Sequence, residues 1–123
     1  MIVVVADGTV KSIGFQSENE RTTISMSLQE IADIVTAYPG GTYTLTYKRQ
    51  NDRCFLISEN FTVDNGNMII TVDAPMLAVK GIVELQAIYT CGTKIASTSV
   101  YKFRVRRAIM DGETMPTTFV DLL

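Results

Sequence analysis

Along most of this chain apolar and polar residues alternate one for one, the spacing that sends successive side chains to opposite faces of a β-sheet. Tyr43, Leu45 and Tyr47 alternate with Thr42, Thr44, Thr46 and Lys48. Met68, Ile70 and Val72 follow the same rule, as do Val83, Leu85, Ala87 and Tyr89. The longest run sets Ile95, Ser97, Ser99, Tyr101, Phe103 and Val105 on one parity and Lys102, Arg104 and Arg106 on the other. Ile24, Met26 and Leu28 form an earlier stripe, and Val10 to Phe15 a weaker one.

Turn residues fall between these runs. Asp64-Asn65-Gly66-Asn67 predicts a tight hairpin from a strand near Asn60–Val63 to one at Met68–Val72, because Asn and Gly tolerate the positive φ that short hairpin loops need. Cys91-Gly92 predicts a second hairpin, pairing Ile82–Thr90 with Thr93–Val105, and Pro39-Gly40-Gly41 breaks the chain before the Tyr43 strand. Two helical pieces interrupt the strands. From Ser27 or Leu28 to about Val35, Leu28, Ile31, Ile34 and Val35 recur at the spacing of one helix face. Asp73-Ala74-Pro75-Met76-Leu77, closed by Gly81, reads as a cap, a first-turn proline, one turn and a glycine stop. The expected fold is mainly β. It is an antiparallel sandwich, Ig-like or jelly-roll-like, of about seven to eight short strands with one or two helical turns.

Residues 1–107 are expected to form the sandwich, and 108–123 a linker and a C-terminal extension. Asp111-Gly112-Glu113 ends the alternation, and Pro116-Thr117-Thr118 can start a helix that sets Met115, Phe119, Leu122 and Leu123 on one face. So short an apolar face is not satisfied alone, which makes these four residues the candidate oligomerisation or docking segment.

A chain of 123 residues with 46% hydrophobic and 20% charged residues suits one globular domain and not a disordered segment. The net charge of −2 does not favour binding driven by phosphate neutralisation, so no nucleic-acid partner is expected. The apolar start Met1 to Ala6 lacks a basic region and reaches Asp7-Gly8 early for a signal peptide, and no apolar run is long enough to span a bilayer. The expectation is folding in a cytoplasm, with no membrane partner and with Cys54 and Cys91 as free thiols, one or both buried.

Candidate chemistry is sparse. There is no histidine, two isolated cysteines do not make a zinc site, and no phosphate-binding or calcium-binding loop is present. The acids sit in turns (Asp52, Asp64, Asp73, Asp111) or among polar residues (Glu18, Glu20). The expectation is a protein that is not an enzyme and uses no cofactor or metal. Lys102, Arg104, Arg106 and Arg107 form a basic stripe, read either as a solvated strand face or as a docking stripe for an acidic neighbour. Tyr43, Tyr47, Tyr89 and Tyr101 share the inward parity, which favours core packing over a stacking platform for sugars or bases. Asn60-Phe61-Thr62 matches a glycosylation triplet and is read as coincidence.

Taken in order, several segments resemble a known family. They are Leu28-Gln29-Glu30-Ile31-Ala32, then Tyr38-Pro39-Gly40 with Thr42 through Arg49, then Asp64-Asn65-Gly66-Asn67 and Met68–Val72. The most telling are Leu77 through Tyr89, followed by Gly92, Lys94 through Ser97 and Tyr101 through Val105. Together these resemble the small β-sandwich domains at the N-termini of tail-fibre, baseplate or head-fibre proteins of phages and prophages of gut bacteria, chiefly Firmicutes. In that family the sandwich leads through a Trp-Val-Asp-like helix start into a trimeric stem. Pro116 through Leu123 resembles that junction, with Phe119 where the family has tryptophan. The resemblance implies a virion structural protein, made in the bacterial host cytoplasm, that assembles with itself as a homotrimer and with other virion proteins. It leaves open a fibre or baseplate anchor, a capsid head-fibre or decoration protein and, from another class, a carbohydrate-binding host-recognition module.

Overall fold

The computed structural model describes residues 2–16 and 18–107. The first part of the chain forms β1 (Ile2–Val5), β2 (Lys11–Phe15), β3 (Thr22–Ser27), a 3-10 turn (Gln29–Ile31) and helix α1 (Ala32–Ala37). The remainder forms β4 (Thr42–Arg49), β5 (Cys54–Ser58), β6 (Phe61–Asp64), β7 (Asn67–Thr71), β8 (Gly81–Cys91), β9 (Lys94–Ser97) and β10 (Tyr101–Arg106). They build a β-sandwich. One sheet has the order β1-β3-β7-β6, the other β2-β10-β8-β4-β5, with β9 added beside β8.

The inward stripes meet between the sheets. Ile24, Met26, Met68 and Ile70 of the first sheet share one buried cluster with Leu45, Tyr47, Val83, Leu85 and Phe103 of the second. Each such side chain contributes about 1.5–3 kcal/mol relative to an exposed one, so the alternation itself selects the register. The helical segment closes the core with Leu28 and Ile31, and Ile34 and Val35 pack against it. It is tied to the sheet by Glu30, whose carboxylate accepts the Ser99 N–H (3.2 Å), the Ser99 hydroxyl (2.7 Å) and the Tyr101 hydroxyl (3.2 Å).

The expected antiparallel sandwich of seven to eight strands is corrected in two respects. The described residues hold ten strands, because β1 and β5 have no clear alternation (Ile2-Val3-Val4-Val5 and Cys54-Phe55-Leu56-Ile57-Ser58) and the last long run divides. Both sheets are also mixed. β1 lies parallel to β3, Ile2 opposite Thr22, and β2 lies parallel to β10, Lys11 opposite Phe103. Alternation reports which face a residue takes and carries no strand direction.

The division of the last run has a local cause. Ser97 stands opposite Ile88 and Tyr101 opposite Leu85, so Thr98, Ser99 and Val100 span the space opposite Gln86 and Ala87. This is a β-bulge with one extra residue. Parity reverses across it. Ile95, expected inward with Phe103, is 69% exposed, while Thr98 is buried and Phe103 and Val105 remain in the core. Thr98 fixes the bulge through its N–H to Ala87 O (3.0 Å) and through its hydroxyl, which accepts Ala87 N–H (3.2 Å).

The hairpin expected at Asp64–Asn67 is present, with Asn65 and Gly66 at φ 49° and 76°. The Cys91–Gly92 hairpin joins β8 to β9. The Asp73–Leu77 segment makes the single turn expected of it, with Leu77 N–H donating to Asp73 O (3.3 Å) and to Ala74 O (3.1 Å). Asp73 Oδ1 accepts Met76 N–H (3.3 Å) as a cap would, but its other oxygen accepts Asn60 Nδ2 (2.6 Å), and Met76 and Leu77 go straight into the core. Cys54 and Cys91 are free thiols, both half-buried. No helix among the described residues is long and apolar enough to cross a membrane.

Candidate functional site: the basic end of β10

The last strand carries its cations outward, as its parity predicts: Lys102, Arg104 and Arg106 are exposed and alternate with buried Phe103 and Val105. Arg104 stands between Ser12 on β2 and Ile82 on β8. β2 then gains one residue against β10, so that Gly14 and not Ile13 faces Val105. Ile13 is buried instead, and Gly14 takes φ 140°, a conformation that side chains rarely adopt. The bulge brings Phe15 opposite Arg106, whose guanidinium lies 5.7 Å from the Phe15 ring centre, a cation–π contact.

Beyond Arg104 the surface sinks into an open depression of about 740 Å³. Its cations are Lys80, Arg104, Arg106 and Arg107, and among the described residues no carboxylate lines it. Its opposite wall is built by the turn before β8. Asn51 Nδ2 donates to Lys80 O (2.6 Å), and Arg49 reaches Pro75 O (2.8 Å) while paired with Asp52 (2.8 Å). Gly81 closes this wall at φ 114°, where an added Cβ would meet Asn51 at 2.6 Å. The wall is therefore fixed by neutral and paired groups.

Of the sequence-predicted stripe, Arg104, Arg106 and Arg107 are brought together here, but Lys102 is not. It stands opposite Glu84, whose carboxylate accepts Gln50 Nε2 (2.6 Å). Lys80 and Asn51 were not foreseen, since each lies in a turn far along the chain and only the β8–β10 register brings them to Arg104. The candidate oligomerisation residues Met115, Phe119, Leu122 and Leu123 lie outside the described residues. Among the described residues no group of His, Cys, Asp or Glu is arranged to hold a metal ion. The site offers clustered positive charge on a rigid sheet end, which suits carboxylates or other anions on a docked surface.

The tyrosines behave as structural parts. The buried Tyr89 hydroxyl donates to Tyr38 O (2.5 Å) and accepts Gly41 N–H (2.8 Å), while Tyr43 packs on its ring at 4.9 Å. No family model matches the chain, and no curated protein is significantly similar to it.

Proposed function

We propose that this chain is a structural protein of a bacteriophage particle, an anchor or adaptor domain of a fibre or baseplate component that works by protein–protein assembly and not by catalysis. The observation that carries the reading is the gathering of Lys80, Arg104, Arg106 and Arg107 around one depression at the end of the last described strand. In sequence, the segment that holds Met115, Phe119, Leu122 and Leu123 follows that strand. A basic cluster followed in sequence by an apolar terminal stripe fits a module that docks on an acidic neighbour and passes its C-terminal segment to other chains. The ordered sequence motifs shared with phage sandwich domains support the same reading.

The carbohydrate-binding alternative needs outward aromatic rings. Phe15, Tyr38 and Phe55 are outward, but Arg106 lies over the first and Lys94, at 5.2 Å, over the second, which leaves one open ring. That occupancy favours the assembly role.

The test is the solution mass at low micromolar concentration, by light scattering, of the full chain beside its Phe119→Ser/Leu122→Ser variant. A trimer that becomes a folded monomer supports the fibre or baseplate reading. A full chain that is already monomeric moves the role to a capsid decoration or adaptor protein, and a variant that unfolds assigns the segment to the core.

A further inference from the structure

Sheet edges expose backbone groups to other chains unless something covers them, and among the described strands the outer edges of β1, β2, β6 and β9 are protected, that of β9 by Lys94. On β1, Lys11 Nζ donates to Val5 O (2.9 Å) while paired with Asp7 (3.0 Å). β2 carries Lys11 and is bulged at Gly14, and β6 carries Asp64. β5 has none of these devices. Cys54-Phe55-Leu56-Ile57-Ser58 contains no charge and no proline and keeps an unbroken register with β4, while Phe55 and Ile57 are 64% and 62% exposed.

The ladder fixes which backbone groups of β5 are open. Gln50 N donates to Ile82 O (2.9 Å), which continues the β4–β8 register, so the even-numbered residues of β4 bond to β8. Its odd-numbered residues Leu45, Tyr47 and Arg49 therefore bond to Ser58, Leu56 and Cys54 of β5. This turns the N–H and C=O groups of Phe55 and Ile57 away from the sheet.

We propose that β5 is a self-association edge, pairing antiparallel with β5 of a second copy about a two-fold axis at Leu56. In that register Phe55 of one copy faces Ile57 of the other, the open backbone groups satisfy one another, and both exposed apolar side chains are covered. The flanking charges point to this occupant. The same register sets Arg53 opposite Glu59 of the second copy at each end of the pairing. Both residues are exposed, and neither belongs to an ion pair among the described residues. Shifting the register by one step in either direction loses this match. The surface is separate from the basic end of β10 and stands apart from any association through the C-terminal segment.

The experiment is sedimentation velocity on the full chain at roughly 100 µM, since a single strand pair makes a small and weak interface. Arg53→Glu and Glu59→Arg are each expected to halve the mass relative to wild type, with circular dichroism unchanged. The double variant Arg53→Glu/Glu59→Arg is expected to recover it, as is an equimolar mixture of the two single variants, in which each copy supplies both charges of one sign. Equal masses for wild type and single variants would overturn the proposal. So would single variants that dissociate without recovery in the double variant or the mixture.

Discussion

The Glu30 carboxylate, on an exposed residue, holds the helical segment to Ser99 and to Tyr101 at the start of β10. The Ser99 hydroxyl and N–H, and then the Tyr101 hydroxyl, hold Glu30 below its ordinary value of 4.5. The charged form is thus favoured by folding. Its stabilisation is complete above pH 4.5 and is lost as the pH falls further, through the depressed native value. Glu30→Gln is expected to lower the melting temperature by a few degrees at neutral pH, with the gap closing in acid. A gap that persisted at pH 3 would assign the contribution to packing and not to charge. Sequence reading did not find this contact, because it joins residues 69 and 71 positions apart through one side chain.

At the level of elements, the bulge between β9 and β10 separates what alternation could reveal from what it could not. The inward residues of β4, β7 and β8 were legible because each strand keeps one parity from end to end. The β6–β7 turn was legible because Asn65 and Gly66 are residues that positive φ selects. Ile95 was misassigned because the extra residue at Thr98–Val100 leaves no compositional mark: Ser and Thr suit either face. Strand β5 was missed because its outward residues are as apolar as its inward ones. Lys80 joined the basic site through register alone. Thr98 is the residue on which the bulge depends, with its buried hydroxyl also donating to Ser99 O (3.0 Å). Thr98→Val keeps the shape and removes both bonds, leaving the Ser99 carbonyl and the Ala87 N–H short of a partner. The expected loss is about 1–3 kcal/mol in chemical denaturation, with the slope unchanged. A neutral result would mean that the backbone bonds alone set the bulge.

On the scale of the whole molecule, the first and last strands of the second sheet's edge run side by side in the same direction, Lys11 beside Phe103 and Ser12 beside Arg104. Tension applied between the segment just before β2 and the end of β10 would therefore pull these two strands along their length in opposite senses. Bonds loaded in this way must yield together, whereas a hairpin pulled from its open end unzips one bond at a time. The parallel pairing is therefore placed to resist load applied between these two points. Single-molecule stretching with attachments at Thr9 and Arg107 is expected to show one high-force event, and the Gln16→Pro variant, which removes the donor to Arg106 O (2.9 Å), to lower that force more than it lowers thermal stability.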